Sequence, residues 1–257
     1  ACPPETMLSH SFYETHPAEF FDFYRTKMIA LNAKPNRCHT KLAELERAGK
    51  LDAVVTQNID GLHQTAGSQR VFELHGSVHR NICQTCGAVY SAEWICSREH
   101  EDAAGVPVCP ACGGRIKPDV VLYEEPLDEY VLTGAVAVIA AADALVVGGT
   151  SLVVYPAAGL TRYFTGDTLA ICNLAPTDQD ANADLLISCD IAAAFAFLPV
   201  CADTIEKLSA KRPRRQLPKL GGVDILGGCS WRTTARHGGA ESMSSALTVR
   251  ASWAFST

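Results

Sequence analysis

The apolar run Leu51-Asp52-Ala53-Val54-Val55-Thr56 leads directly into the polar segment Gln57-Asn58-Ile59-Asp60. A second apolar run, Ala144-Leu145-Val146-Val147, leads into Gly148-Gly149-Thr150-Ser151. Short apolar runs that alternate with helical patterns are typical of buried strands in a parallel sheet. Because the carboxyl ends of such strands face the ligand crevice of open α/β proteins, both segments also predict a binding site.

Helical patterns surround these predicted strands. Apolar residues recur at helical spacing over 18–31 and over 127–142. Asn36 is a predicted N-cap for a helix that ends at Gly49. The remaining predicted elements are strands at 168–172 and 185–187 and a helix from about residue 156. Strands that alternate with helices predict an α/β fold with a parallel sheet.

Composition and charge exclude several classes of protein. The 257 residues are 47% apolar and 19% charged, which is ordinary globular usage, and the net charge is −6. No apolar run reaches the length that spans a membrane, and the first residues do not form a secretion signal. We therefore expect a cytoplasmic protein with no membrane partner and no specific nucleic-acid partner.

The charge is divided unevenly along the chain. Residues 1–210 carry 14 Lys+Arg against 26 Asp+Glu, whereas residues 211–257 carry 8 against 2 and are interrupted by proline and glycine. This pattern predicts a disordered basic tail over 211–257. The alternatives are a basic arm that binds nucleic acid weakly and an artefactual or out-of-frame end.

Two pairs of cysteines have the spacing of a metal site. Cys83 and Cys86 form one C-x2-C pair, and Cys109 and Cys112 form the other, with 22 residues between the pairs. Two such knuckles can form a closed four-sulfur cage, which predicts one structural zinc ion. The alternative is two disulfides or free thiols, and the absence of a secretion signal argues against it. Cys96 lies between the pairs and is a predicted free thiol.

The polar residues after the first strand suit a sugar or an amide. Gln57, Asn58 and Asp60 offer donors and acceptors for ribose hydroxyls or a carboxamide. An Asx-type turn, in which Asn58 and Asp60 only cap the backbone, is the alternative.

The glycine-rich loop after the second run suits a phosphate group. Gly149 permits close backbone approach, and Thr150 and Ser151 offer hydroxyls at the start of a predicted helix. Asn173 follows the next predicted strand and takes a similar crevice position.

Three histidines are candidates for a general base. An imidazole titrates near neutral pH, and His75 lies between the predicted sheet and the cysteine pairs. His63 and His79 are close in sequence, and the sequence does not choose among the three.

Taken in order, these segments resemble the sirtuins, the NAD-dependent protein-lysine deacylases, over about residues 5–205 and most closely those of the bacterial branch. The matching segments are Thr56-Gln57-Asn58-Ile59-Asp60-Gly61-Leu62-His63, Leu74-His75-Gly76, the four cysteines, Lys117-Pro118-Asp119-Val120-Val121, Gly149-Thr150-Ser151-Leu152 with Pro156-Ala157-Ala158, and Asn173-Leu174. The resemblance implies a Rossmann-like parallel sheet domain with a smaller helical and zinc-ribbon domain. The implied division is 1–35 for the helical part, 36–76 and 118–210 for the Rossmann-like domain, and 77–117 for the zinc module.

The resemblance also implies roles for single residues. His75 is the implied general base, and Asn58 is the second implied catalytic residue. Gln57, Asn58 and Asp60 would line the nicotinamide and ribose pocket. The implied contacts with the rest of NAD are Gly149, Thr150, Ser151, Asn173 and Leu174. Val121 and Tyr123 would lie along the groove for an acyl-lysine protein or peptide.

The implied reaction consumes NAD. The acyl oxygen attacks the ribose carbon as nicotinamide departs, and a ribose hydroxyl deprotonated by His75 then attacks the imidate. Water finally releases lysine and O-acyl-ADP-ribose. Protein ADP-ribosyl transfer, or an inactive zinc-stabilised binding role, are the alternatives.

Two departures from the family pattern matter. The family's Gly-Ala-Gly-x-Ser loop and Asp-Phe-Arg segment do not occur in these 257 residues, and Pro3-Pro4-Glu5-Thr6-Met7 resembles the sequence that follows them. We therefore expect a Rossmann-like domain that is incomplete at its N-terminus. Tyr123-Glu124-Glu125 replaces the commoner aromatic-Gly-Glu.

Overall fold

The computed structural model describes residues 3–196 and 230–233, which divide between two compact units. The described residues of the first unit are 3–34, 58–62 and 73–131, and those of the second are 35–57, 63–72, 132–196 and 230–233. The first unit thus contains the predicted helical part and the predicted zinc module together. It also takes 58–62, 73–76 and 118–131, which the prediction assigned to the Rossmann-like domain.

The first unit begins with short helices. These are α1 (Pro4–Met7), α2 (His10–Thr15), α3 (Pro17–Phe23) and a π-helical turn over Tyr24–Met28. The Ser9 side chain accepts the Phe12 N–H and caps α2. The single helix predicted over 18–31 is wrong in its second half, since the α-helical bonding ends at Phe23 and the Ile29 N–H closes the wider turn on the Tyr24 carbonyl.

A three-stranded antiparallel sheet completes the first unit. Its order is β4-β3-β5, with β3 at Gly76–Cys83, β4 at Val89–Tyr90 and β5 at Ile116–Val120. Between β4 and β5 lies the short helix α6 (Ala92–Ser97). Cys83 is paired with Ile116 in the register, so one cysteine pair begins at the end of β3.

Four aromatic side chains form the centre of the first unit's core. Tyr13, Phe20, Phe21 and Tyr24 are completely buried. The rings of Phe20 and Phe21 pack edge to face, with an interplanar angle of 90° and their centroids 5.4 Å apart. Each such side chain contributes roughly 1.5–3 kcal/mol by burial. The same cluster includes Ile95 and residues of β3 and β5, so the helical part and the zinc module share one core.

The buried guanidinium of Arg25 joins the two parts further. Its Nε donates to the Ile95 carbonyl at 3.0 Å and one Nη to the Gly105 carbonyl at 3.2 Å. The other Nη forms an ion pair with Glu101. Burial lowers the pKa of Arg25, and the neighbouring Glu101 carboxylate opposes this effect. The π-helical turn is thereby tied to the segment that links the two cysteine pairs.

The remaining elements lie wholly or mostly in the second unit. They are α4 (Arg37–Arg47), β1 (Val54–Thr56), α5 (Leu62–Ala66), β2 (Val71–Glu73), α7 (Glu129–Ala140), β6 (Ala144–Gly148), a 3₁₀ helix over Ala157–Tyr163, β7 (Thr168–Cys172), a 3₁₀ turn over Asp180–Asn182, β8 (Leu185–Ser188), α8 (Ile191–Ala196) and β9 (Ser230–Thr233). The helix predicted from about residue 156 is therefore a 3₁₀ helix, and the strand predicted at 51–56 is limited to its last three residues.

The described residues of the second unit form two sheets. Strands β6, β7 and β8 are parallel, and β1 pairs with β2 in a two-stranded sheet. This confirms the α/β class. Strand β9 pairs antiparallel with β8 and was not predicted, because 230–233 lie within the predicted disordered tail. Apart from these four residues, 211–257 lie outside the described residues.

Helix α4 begins and ends as its sequence predicts. The Asn36 side-chain oxygen accepts the backbone N–H groups of Cys38 and His39 at 2.9 and 3.2 Å. Gly49 follows the helix with φ +66°, a left-handed conformation that glycine adopts readily. Leu42 and Cys38 then pack with Leu51 in a core of the second unit.

Among the residues that the structure describes, no helix combines the length and apolar character needed to cross a membrane.

Candidate functional site

The four predicted metal ligands come together in the first unit. The sulfur atoms of Cys83, Cys86, Cys109 and Cys112 lie within 4.8 Å of one another. The Sγ–Sγ distances are 3.5 Å for Cys83–Cys112 and 3.7 Å for Cys86–Cys109. A tetrahedral zinc with four sulfurs at about 2.3 Å has edges of about 3.8 Å. Both the geometry and the soft donor set therefore fit zinc.

The local backbone shapes each cysteine pair. The Gly87 N–H donates to the Cys83 carbonyl at 2.9 Å, and the Gly113 N–H donates to the Cys109 carbonyl at 2.8 Å. Gly87 and Gly113 have φ values of +75° and +73°, which glycine adopts without steric cost. Each pair is thus a tight turn that brings two sulfurs to the same side.

Hydrogen bonds favour the charged form of two of the thiols. The Tyr90 hydroxyl lies 2.9 Å from the Cys109 sulfur, and this contact lowers the pKa of Cys109 to about 6. A backbone N–H of Cys86 lowers the pKa of Cys83. Cys96, in contrast, is outside the cluster, and burial raises the pKa of its thiol. The pKa of Cys112 is instead raised to about 12, because the Gly114 N–H that lowers it is outweighed by the contacts with Cys86 and Cys83. Thiolates are the form that binds zinc, so the shifts at Cys83 and Cys109 favour metal binding and the shift at Cys112 does not.

The polar segment after β1 is divided between the units. Thr56 and Gln57 are buried in the second unit. Asn58 and Asp60 are partly buried in the first unit. One oxygen of Asp60 accepts the Leu62 N–H at 2.9 Å, so the Asx-type turn that the sequence left open is present at Asp60.

Burial argues against one of the three candidate histidines as a base. His63 is 2% exposed, and burial lowers its pKa to about 3, with a further contribution from His39. His79 is exposed, and its Nε2 lies 2.9 Å from the Asp60 carbonyl oxygen, to which it must donate. His75 is partly buried. The catalytic role of His75 stays a prediction.

The backbone around His75 is held by β5. The His75 carbonyl accepts the Val121 N–H at 3.0 Å. Gly76 has φ +73°, and a Cβ atom there would lie 1.9 Å from the Asp119 carbonyl oxygen. Arg80 donates to Asp119 at 2.6 Å and to Glu73 at 2.8 Å. Sequence reasoning did not identify Arg80, although its charge beside the Leu74-His75-Gly76 motif was a visible signal.

The second unit brings the glycine-rich loop and Asn173 together. The Asn173 side chain donates to the Thr150 carbonyl at 2.8 Å, and the Gly149 N–H donates to the Cys172 carbonyl at 3.1 Å. Gly149 has φ +62°. Ser151 and Leu174 are exposed. A glycine turn, hydroxyls and an amide at the carboxyl ends of β6 and β7 fit the phosphate and ribose of a dinucleotide.

A sequence model of the Sir2 family matches residues 2–156, which include the 57–60 segment, His75, all four clustered cysteines and the loop at 149–151. The chain belongs to the Sir2 family. The resemblance to the sirtuins is therefore confirmed.

Curated relatives of this Sir2-family chain are close in sequence. It is 56% identical over 186 residues to the NAD-dependent protein deacetylase of Clostridium acetobutylicum, covering 72% of this chain and 74% of the relative. It is 55% identical over 185 residues to that of Cutibacterium acnes, covering 72% and 73%.

Solved Sir2 structures share the fold. One that is bound to an acetylated peptide has a TM-score of 0.68 at 38% identity, covering 74% of this chain and 80% of that one. Another, bound to a propionylated peptide, has a TM-score of 0.69 at 38% identity, covering 75% and 81%. The predicted fold class, a Rossmann-like sheet with a zinc-ribbon domain, is confirmed.

The segment predicted to line the substrate groove runs beside residues 8–10 in the first unit. The Tyr123 N–H donates to the Leu8 carbonyl at 2.9 Å, and the His10 N–H donates to the Tyr123 carbonyl at 3.0 Å. Tyr123 is 49% exposed. Val121 is partly buried and, through the bond described above, adjoins the His75 backbone.

The structure explains the unusual Glu124 of this Sir2-family member. Glu124 has φ +78°, a conformation that favours the glycine commoner in the family. Its carboxylate accepts the Ser11 N–H and the Ser11 hydroxyl, both at 2.9 Å. One carboxylate oxygen of Glu125 accepts a hydrogen bond from the Lys117 ammonium at 3.0 Å, and the other lies 2.8 Å from Nδ1 of His10. The sequence pattern marked Glu124 as unusual but could not identify Ser11 as its partner.

Proposed function

We propose that the protein is an NAD-dependent protein-lysine deacylase that releases nicotinamide and O-acyl-ADP-ribose. The observation that carries this proposal is the Sir2-family match over residues 2–156, which contain the predicted base, zinc ligands and phosphate loop in one continuous match. The high identity to proteins named NAD-dependent protein deacetylase supports the same activity.

His75 is proposed as the general base. When bound, NAD supplies an electrophilic ribose carbon that is attacked as nicotinamide leaves. His75 would accept a proton from a ribose hydroxyl on a ring nitrogen, which requires a neutral imidazole. The Val121 hydrogen bond and the close contact of Gly76 with Asp119 fix the backbone that carries this ring. Asn58 would orient the reacting ribose by hydrogen bonding.

The remaining contacts with NAD are proposed within each unit. In the first unit, Asp60 would bind the ribose and nicotinamide portion together with Asn58. In the second unit, Gln57 would contact nicotinamide. The proposed contacts with the phosphates and the adenosine ribose are Gly149, Thr150, Ser151, Asn173 and Leu174.

The proposed substrate is an acyl-lysine protein or peptide. Val121 and Tyr123 would line its groove, in which the peptide would add as an extended strand. Relatives solved with acetylated and propionylated peptides support this class of partner.

Cys83, Cys86, Cys109 and Cys112 would hold a structural zinc. Four protein sulfurs leave no open coordination position, so the metal would not activate water. Because the ligands come from the end of β3 and the turn before β5, the metal would fix these two parts of the first unit together. Cytoplasmic location and weak nucleic-acid binding by 211–257 stay predictions.

Nicotinamide release from NAD and an acetyl-lysine peptide tests the proposal. We expect His75→Ala to lower kcat at least about 100-fold, since general-base catalysis contributes about 10²–10⁴-fold. His100→Ala is the matched control, because His100 lies on the surface of the same unit against Trp94. Undiminished turnover by His75→Ala would exclude the proposed base. Transfer of labelled ADP-ribose to protein would assign transferase activity instead, and a calorimetric titration without NAD binding would favour a binding protein.

A further inference from the structure

The loop at 58–62 is held against β3 within the first unit. The Val78 N–H donates to the Ile59 carbonyl at 3.0 Å. One residue further along each segment, the His79 ring lies 2.9 Å from the Asp60 carbonyl oxygen through Nε2. A carbonyl oxygen only accepts, so Nε2 carries the hydrogen in this contact. The loop is therefore held by one main-chain bond and one side-chain bond in succession.

The same ring occupies the space beside Gly61. A Cβ atom at Gly61 would lie 2.8 Å from Cδ2 and 3.1 Å from Nε2 of His79. Gly61 also has φ +67°, a conformation disfavoured for other residues. The peptide unit between Asp60 and Gly61 is thus held by a hydrogen bond and by close packing at once.

The peptide between Asp60 and Gly61 lies inside the Asx-type turn that orients the Asp60 carboxylate. One oxygen of that carboxylate already accepts the Leu62 N–H at 2.9 Å, so side chain and turn are coupled. Displacement of the backbone at Asp60 and Gly61 would distort this turn and with it the bond that holds the carboxylate. His79 itself is exposed, and its side chain is not part of the hydrophobic core. Loss of the ring should therefore affect the loop more than the fold.

We propose that His79 is a positioning residue that sets the affinity for NAD by holding the Asp60–Gly61 peptide in place. This inference rests on the proposed function, because it assigns the 58–62 loop to NAD binding. His79 acts through Asp60 and takes no part in proton transfer. The role differs from that of His75, which acts on the reacting ribose.

Steady-state kinetics and calorimetric NAD titration of the full chain test the proposal. We expect His79→Ala to raise KM and Kd for NAD about three- to tenfold, the range for one lost hydrogen bond. The kcat and the KM for the peptide should change less than about twofold. His100→Ala is the control, and an unchanged zinc content verifies that the variant is folded.

Two further variants separate positioning from folding. The glutamine side chain in His79→Gln is long enough to donate an N–H to the Asp60 carbonyl, whereas that in His79→Asn is shorter by one methylene. We expect the Gln variant to recover NAD affinity to within about twofold of wild type and the Asn variant to resemble His79→Ala. Equal NAD affinity of the Gln and Asn variants, or a fall in kcat alone, would overturn the positioning role. Absence of NAD-dependent turnover in the wild-type protein would instead overturn the proposed function.

Discussion

Replacing Gly76 by alanine should destabilise the first unit strongly. Gly76 has φ +73°, and forcing alanine into this left-handed conformation costs about 1–2 kcal/mol. The new methyl group would also lie 1.9 Å from the Asp119 carbonyl oxygen, where ordinary contacts begin near 3.4 Å. Relief of that overlap requires a backbone shift between β3 and β5, and such overpacking adds about 1–3 kcal/mol. The expected total is about 2–5 kcal/mol.

Urea unfolding at neutral pH measures this difference in the free energy of unfolding. Gly105→Ala is the matched control in the same unit, because Gly105 has φ +82° but its nearest atom would lie 3.7 Å from the new methyl group. The control should lose only the conformational cost of about 1–2 kcal/mol. If both variants lose the same free energy, close approach to Asp119 is not what requires glycine at position 76.

Three further results are expected. Because burial lowers the pKa of His63 from 6.5 to about 3, its neutral form is favoured in the folded state; the resulting stability is complete above pH 6.5 and falls by about 1.4 kcal/mol per pH unit towards pH 3. His63→Gln should therefore reduce the pH dependence of urea unfolding between pH 6 and 4.5, and an unaltered slope would contradict the burial argument. Glu124→Ala should be less stable than Glu124→Gly by about 1 kcal/mol, since both lose the Ser11 bonds and only alanine retains the strained φ of +78°; equal thermal unfolding midpoints would refute this. Cys86→Ser should lower zinc below one ion per chain and Cys96→Ser should not, as metal analysis of the purified proteins can determine.

Local patterns were sufficient for several features. The two C-x2-C pairs predicted the cluster because each pair closes within one short turn, as the Gly87 and Gly113 bonds show. Strand β7 at Thr168–Cys172 was predicted with its correct bounds, since a continuous apolar run between polar segments has few alternatives. The Asn36 cap likewise depends only on residues within one helical turn.

Tertiary packing overrode other predictions made from local sequence. The helical periodicity over 18–31 continues past Phe23, but its aromatic side chains pack into a core with β3 and β5, and the backbone adopts a π-helical turn. Strand β9 could not be expected from a proline- and glycine-rich segment, because its hydrogen bonds come from β8, more than forty residues earlier.

Each motif of this Sir2-family chain consists of residues that are close together in the sequence. The Gln57–Asp60 segment and the two cysteine pairs could therefore be identified from sequence alone. The surroundings of those motifs could not. His79 against Gly61, Glu124 against Ser11 and Gly76 against Asp119 are contacts between residues 18, 113 and 43 positions apart. Periodicity and spacing describe one segment at a time, whereas these contacts exist only after the chain has packed. The burial of His63, the partial burial of His75 and the surface hydrogen bond of His79 are likewise set only in the folded protein.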